Sequence, residues 1–158
     1  MWNEEGTRCS YSFPSDNKVN NFQAIQWLSE ACQKFGYDIV VTSTWRWDSN
    51  YKDCLINGGL RPGIEILGKT PTIMNQPRGV EIKTYLEEHP EINYYIIIDD
   101  DLDMLPEQMG HFIKTDPYVG FTLNSFVKFE EIFEKDNQQG GSFPDKPYKD
   151  YRKLEGDF

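Results

Sequence analysis

The segment YYIIIDDDLDM, from Tyr94 to Met104, contains the pattern that most constrains the fold. Its first five residues are apolar or aromatic without alternation, which is typical of a strand with both faces buried in a parallel sheet. This predicted strand, Tyr94–Ile98, runs directly into three aspartates, and Asp103 follows two residues later. Two interpretations are open for so much like charge. Either the acids hold a cation, or they form a solvated turn.

The segments around this strand predict helices and strands in alternation. The predicted helices are Val19–Phe35, Asp48–Gly59, Arg78–His89 and Leu123–Lys135, and the other predicted strands are Ile39–Thr42, Ile64–Leu67 and His111–Thr115. Ser15 or Asp16 can cap the first helix, and Gly36 suits its end. Strands that alternate with helices over short loops predict an α/β fold, in which helices cover both faces of a mostly parallel sheet.

Length and composition predict one domain with a hydrophobic core. The chain has 158 residues, of which 38% are hydrophobic, and this suits a single compact unit. We predict one domain over residues 1–135, with residues 1–16 as a leader. Residues 136–158 mix glycine, proline and charge without a period, so they are predicted to be a loosely ordered tail. Docking of the tail's aromatic residues onto the domain is the alternative.

Charge and targeting signals exclude several classes of protein. The formal net charge of -10 argues against a general nucleic-acid or membrane-surface binder, because both partners are anionic. A local basic pocket stays open. The sequence lacks both a run of about 18 apolar residues and a signal peptide, so we expect a soluble cytoplasmic protein. The three cysteines lack zinc-ligand spacing, and Cys32 lies on the apolar face of the first predicted helix.

A polar group follows the predicted strand at Ile39–Thr42, and it contains Thr42, Ser43, Thr44 and Arg46. Parallel strands present their carboxyl ends at one edge of a sheet, where ligands bind. We therefore expect this group at the same rim as the aspartates that follow Ile98. Hydroxyl and N–H groups ahead of a helix can hold a phosphate, and ordinary helix capping is the alternative.

The aspartates are candidate metal ligands. Clustered carboxylates repel one another unless one is protonated or a cation lies among them. Oxygen ligands in this number favour Mg²⁺, which takes one or two carboxylates and completes its shell with water and phosphate oxygens. We take Asp99, Asp100 and Asp103 as the candidates.

Arg78 is the third candidate element. It begins a predicted helix, where the macrodipole disfavours a cation, so an anion to bind is one reason for its presence. The alternative interpretation is that Arg78 is a solvated surface residue. Lys69 and Lys83 are competing cations, and both are readily explained as surface residues.

Three spaced segments carry a family resemblance. They are DIVVTSTWR from Asp38, RGVEIKTYLEEHPEINYYIIIDDDLDML from Arg78, and FIKTDPYVGFT from Phe112. They resemble the small haloacid dehalogenase-like (HAD) domains of RNA-repair proteins and of stand-alone bacterial and phage proteins, over roughly Val19 to Phe133. The resemblance implies a Rossmann-like fold and Mg²⁺-dependent phosphoryl hydrolysis through an aspartyl-phosphate intermediate.

The resemblance also implies roles for individual residues. Thr42 matches the second-motif hydroxyl that holds the substrate phosphate, with Ser43 beside it. Arg78 matches the third-motif cation that neutralises the phosphate and the nucleophile. The fourth-motif acids that bind Mg²⁺ match Asp99 and Asp100, and Asp103 is an outer candidate.

The sequence departs from the family at the first motif. That motif is a hydrophobic strand ending in DxD, which supplies the nucleophile and the general acid/base, and no aspartate lies two positions after Asp16, Asp38 or Asp48. In the family this strand is central, between the strands we predict at Ile39–Thr42 and Tyr94–Ile98. Three explanations are open, of which we favour the first: the chain starts at an internal methionine, another segment or chain fills the gap, or the flanking strands pair directly.

Two functions remain as hypotheses. The leading one is a HAD-like Mg²⁺-dependent phosphatase that acts on a phosphorylated small molecule or a nucleic-acid end. The alternative is a catalytically silent phosphate- or metal-binding interaction module. A partner chain or an upstream segment would complete the sheet.

Overall fold

A computed structural model describes residues 18–140. Its first helix, α1, spans Lys18–Phe35 and ends where the sequence predicts. Gly36 adopts the left-handed conformation with φ of 76° and donates its N–H to the Cys32 carbonyl at 2.9 Å. Glycine suits this helix end because it has no Cβ to clash. The predicted caps Ser15 and Asp16 lie outside the described residues.

The rest of the described chain alternates between strands and helices, as predicted. The strands are β1 (Ile39–Val41), β2 (Ile66–Lys69), β3 (Ile97–Asp99) and β4 (Phe112–Lys114). The helices are α2 (Tyr51–Asn57), α3 (Arg78–Glu88) and α4 (Leu123–Gly140), with 3₁₀ helices at Thr44–Trp47 and Pro106–His111.

The strands form two separate parallel pairs within residues 18–140. Strand β1 pairs only with β2, and β3 pairs only with β4. The α/β class and the parallel pairing are confirmed. Of the three explanations for the missing central strand, direct pairing of the flanking strands is wrong. Each of β1 and β3 therefore has one edge along which no described strand runs.

Helix α1 connects the two halves of the structure. One core cluster forms around Val41 and Leu55, on the β1 side, and the other forms around Ile113 and Phe129, on the β4 side. Leu28 of α1 packs against both clusters, and so does Tyr37, which follows the helix. We call the β1–β2 pair and the β3–β4 pair the two half-sheets. Apolar burial along α1 holds them together, although no described backbone hydrogen-bond ladder joins them.

The observed boundaries differ from the predicted ones by a few residues. The strand predicted at Tyr94–Ile98 is paired only from Ile97, because its partner β4 is three residues long. Helix α4 continues to Gly140, past the predicted start of the tail at Asp136. The remaining tail, residues 141–158, and the predicted leader, residues 1–16, lie outside the described range.

Two further observations concern the helices. Between residues 18 and 140, no helix combines the length and the apolar character needed to cross a bilayer. Cys32 of α1 and Cys54 of α2 are buried thiols, and burial raises the pKa of Cys32 to about 12. This agrees with the prediction that Cys32 packs on an apolar helix face.

Candidate functional site

The candidate site lies at the carboxyl ends of β1 and β3, where Arg78 connects the two half-sheets. Arg78 Nη1 donates to the Thr42 carbonyl oxygen at 2.6 Å and lies 3.3 Å from Asp99 Oδ2. Thr42 directly follows β1, and Asp99 is the last residue of β3. The two polar groups predicted from the strand ends therefore meet at one rim.

Arg78 is the first residue of α3, as the sequence predicts. Its own N–H donates to Asp103 Oδ2 at 2.9 Å, and the next N–H, that of Gly79, donates to the Asp103 carbonyl oxygen at 3.0 Å. Asp103 thereby caps the helix, and its charge suits the positive end of the dipole. The side chain of Arg78 is 18% exposed and faces Asp99, which supplies a counter-charge.

Three aspartates form the acidic part of the site. Carboxylate oxygens of Asp99, Asp100 and Asp101 all lie within 4.8 Å of one another. Asp101 donates its N–H to Asp99 Oδ1 at 2.9 Å, which orients the Asp99 carboxylate. The predicted ligand Asp103 is not in this group because its carboxylate caps α3, whereas Asp101, which our candidate set lacked, is in it.

The charge on Asp99 is unfavourable in this environment. Burial raises the pKa of Asp99, and neighbouring Asp100 adds to the rise, while the Asp101 N–H and the Arg78 charge oppose it. The Asp99 side chain is only 7% exposed. A bound cation would offset both the burial and the repulsion, and an oxygen-only donor set suits a hard ion such as Mg²⁺.

Thr42 and Ser43, the two hydroxyl-bearing residues that follow β1, are held through their main-chain carbonyl oxygens. The Thr42 carbonyl oxygen accepts from Arg78, and the Ser43 carbonyl oxygen accepts from Arg46 Nη1 at 3.3 Å. Both residues are half-buried. Their carbonyls are thus fixed by two arginines, while the role of their hydroxyls in holding phosphate stays a prediction.

Arg46 is a structural residue, which the sequence did not reveal. Its Nη2 lies 2.6 Å from Glu81 Oε2, and the two side chains are 3% and 6% exposed. Its Nε donates to Thr72 Oγ1 at 3.2 Å, and the other Glu81 oxygen accepts the Ile73 N–H at 3.0 Å. This buried pair ties α3 to the loops after β1 and β2. Glu81 lies 35 residues from Arg46, so no local pattern could identify the pair.

Gln108 is a second residue that sequence reasoning missed. It is 2% exposed; its Nε2 donates to the Gly79 carbonyl oxygen at 2.8 Å, and its Oε1 accepts the Leu105 N–H at 2.9 Å. It thereby fixes the first turn of α3, and with it Arg78, against the segment after the aspartates. Its only local signal is its place in the 3₁₀ helix that begins at Pro106.

The competing cations have other partners. Lys69 Nζ donates to the Arg46 carbonyl oxygen at 2.9 Å and lies 5.1 Å from the centre of the Tyr51 ring. Lys83 lies 3.6 Å from Glu107, and both of those side chains are more than half exposed. Of the three candidate cations, only Arg78 touches both strand ends.

A family model matches most of the chain. The family model described as "HAD domain in Swiss Army Knife RNA repair proteins" matches residues 3–126. No curated protein and no solved structure matches the chain. The matched range includes every residue that the geometry brings together at the rim.

Proposed function

The chain belongs to the family of HAD domains found in Swiss Army Knife RNA repair proteins, and from this membership we propose that it binds a phosphomonoester with Mg²⁺ and takes part in its hydrolysis. The substrate class we propose is a nucleotide or a nucleic-acid end. The observation that carries the proposal is that Arg78 Nη1 lies within 3.3 Å of both the Thr42 carbonyl oxygen and Asp99 Oδ2. One cation thus contacts both the main chain of Thr42, a residue of the predicted phosphate-binding group, and the carboxylate of Asp99, a residue of the acidic group.

The chain's own residues would divide the work of binding. The hydroxyls of Thr42 and Ser43 donate to phosphate oxygens, and the Arg78 guanidinium supplies charge-assisted hydrogen bonds to the same group. Arg78 is already positioned by its capped helix and by Gln108. Little reorganisation is then needed when the anion arrives.

The acidic group would hold the metal. Asp99, Asp100 and Asp101 have the clustered oxygens that a hard cation requires, and Asp103 is a further candidate by family resemblance. When bound, Mg²⁺ neutralises charge on the phosphoryl oxygens. Of the three carboxylates, Asp99 would be stabilised most by the cation, because burial disfavours its charged form.

Hydrolysis through an aspartyl-phosphate needs a carboxylate aimed at phosphorus. No hydrophobic strand ending in DxD precedes β1 in the sequence, and β1 and β3 each have an edge without a described strand. We propose that a strand ending in DxD lies between β1 and β3 and brings the nucleophile to the rim. It would come from outside residues 18–140 or from a partner chain.

The alternative function is a phosphate- and metal-binding interaction module without turnover. The observation that favours it is that no strand ending in DxD precedes β1 in the sequence. The two proposals share the binding residues Thr42, Arg78 and Asp99. They differ only in whether a nucleophile reaches the bound phosphate.

Hydrolysis of p-nitrophenyl phosphate with Mg²⁺ separates the two functions. We expect little turnover from the 158-residue chain and strong turnover after it is extended by the DxD strand encoded upstream or mixed with a partner that carries one. Replacing the first aspartate of that DxD by Asn should remove the gain. If the completed protein binds phosphate but never releases product, the silent module is the correct function.

A further inference from the structure

We propose that Trp47 is a stacking platform for the base of a nucleotide whose phosphate lies at Thr42 and Arg78; this inference rests on the proposed function. The shared chemistry is a phosphomonoester attached to a nucleoside. It occurs both in a free nucleotide and at the end of a nucleic acid. The inference gives the site a way to prefer these ligands over phosphate alone.

The exposed ring of Trp47 is the first observation. The side chain is 66% exposed, although tryptophan is on average among the more buried residues. Its only polar atom, Nε1, donates to Thr72 Oγ1 at 2.9 Å. The indole therefore satisfies its N–H within the protein and presents apolar ring surface to solvent, as a base-stacking surface must.

The ring is tied through the exposed residue Thr72 to a buried ion pair. Thr72 Oγ1, which accepts from Trp47, also accepts from Arg46 Nε at 3.2 Å. Arg46 is in turn paired with Glu81 at 2.6 Å, and both of these side chains are buried. An exposed ring fixed in this way loses little conformational freedom when it binds, which is the condition for an efficient contact.

The position of Trp47 suits a ligand anchored at Thr42. Trp47 is the last residue of the 3₁₀ helix that begins at Thr44. Three residue steps of such a helix cover roughly 6 Å. The hydrogen bond from Arg46 Nη1 to the Ser43 carbonyl oxygen ties this helix to the end of β1. The backbone of Trp47 is thus near the end of β1, and the proposed platform requires one nucleotide to span the distance from there to the ring.

The negative net charge of the chain favours recognition of the base by stacking over attraction of several backbone phosphates. A formal net charge of -10 provides no attraction for the phosphates of a long nucleic acid. Base stacking is independent of that field, and the contact of the Arg46 guanidinium carbon, 5.9 Å from the Trp47 ring centre, helps to hold the ring. A base is therefore recognised without a basic surface.

The experiment compares AMP, ribose 5-phosphate and adenosine by NMR titration of the chain. In the wild type, AMP should bind roughly 5- to 150-fold more tightly than ribose 5-phosphate, the equivalent of about 1–3 kcal/mol for one stacked base. Trp47→Ala should remove this difference and the weak binding of adenosine. Trp47→Phe, which keeps an aromatic ring, should retain part of the difference.

Trp27→Ala is the matched control. Trp27 is 38% exposed on α1, with its ring centre 6.0 Å from that of Phe126, so this variant should keep the full preference for AMP. Arg78→Ala should weaken the binding of ribose 5-phosphate and leave the binding of adenosine unchanged. A failure of the phosphate site and a failure of the Trp47 platform are therefore separate results.

The inference is overturned if wild-type AMP binds no more tightly than ribose 5-phosphate, or if Trp47→Ala preserves the difference. A 5′-phosphorylated trinucleotide identifies the source of the ligand. Tighter binding of the trinucleotide than of AMP, lost in Trp47→Ala, assigns the platform to nucleic-acid ends. Equal binding of the two, also lost in Trp47→Ala, assigns it to free nucleotides.

Discussion

The guanidinium of Arg78 lies 3.3 Å from the carboxylate of Asp99, and their side chains are 18% and 7% exposed. This ion pair joins the start of α3 to the end of β3. The same guanidinium nitrogen, Nη1, also donates a hydrogen bond to the Thr42 carbonyl oxygen at the end of β1. The pair consequently organises the rim between the half-sheets, and changes to either residue should alter both binding and stability.

Substitution of Arg78 should weaken phosphate binding. Arg78→Ala is expected to cost about 1.5–3 kcal/mol of phosphate affinity, the usual range for a hydrogen bond to a charged group, measured by calorimetry with inorganic phosphate. Lys83→Ala is the control, because Lys83 lies 3.6 Å from exposed Glu107 and should change nothing. Unchanged affinity in Arg78→Ala would remove Arg78 from the site.

Asp99→Asn should stabilise the protein at neutral pH without metal. The folded-state pKa of Asp99 is raised, mainly by burial, so the folded state binds the proton more tightly than the unfolded state does. This contribution is fully present below the unfolded pKa of about 3.9 and is lost as pH rises through the raised folded pKa. The variant should melt higher than wild type at pH 7 and equally at pH 3.5, in chelator.

Glu87→Gln, which changes an exposed carboxyl on α3, is the control for Asp99→Asn and should not shift the melting temperature. The opposite result, a less stable Asp99→Asn protein at pH 7, would mean that pairing with Arg78 outweighs the burial of the charge.

Mg²⁺ binding should depend on the acidic group. Asp99→Asn combined with Asp100→Asn is expected to abolish binding in calorimetry, because it removes two of the three clustered carboxylates. Asp103→Asn should cost much less, since the asparagine oxygen can still accept the Arg78 N–H. Full binding in the double variant would show that the acids are only a turn.

Breaking the buried pair of Arg46 and Glu81 should be costly. Glu81→Gln leaves a buried arginine without its counter-charge and is expected to cost about 3–5 kcal/mol in urea unfolding. The exposed counterpart, Glu107→Gln, loses the pair with Lys83 and should cost about 0–1 kcal/mol. Equal effects of the two changes would contradict the structural role of Arg46.

Gly79 should tolerate no side chain. A Cβ there would lie 2.6 Å from both Gln108 Oε1 and the Leu105 backbone nitrogen, so Gly79→Ala is expected to destabilise by about 1–3 kcal/mol. Gly110→Ala, where nothing lies within 4 Å, should stay within about 0.5 kcal/mol. A Gly79→Ala protein as stable as wild type would show that α3 can shift without cost.

Much of the fold was predictable because it depends on local patterns. Consecutive residues predict the apolar period of α1 and its end at Gly36. They also predict the start of α3 at Arg78. Strand ends were less predictable, since pairing with a short partner decides them. Tyr94–Ile96 is as apolar as a strand, yet β3 starts at Ile97 because β4 offers only three residues.

The order of the candidate site residues can be read from the sequence alone: hydroxyls at Thr42 and Ser43, a cation at Arg78, and acids from Asp99. Which of these residues meet, and which other residues hold them in place, depends on how distant segments pack in the folded chain. Asp103 became a helix cap, Asp101 joined the acidic group, and Arg46 was used in a buried pair with Glu81. The physical reason is that hydrophobic periodicity is local, whereas the partner of a buried charge is chosen by packing between segments that are distant in the chain.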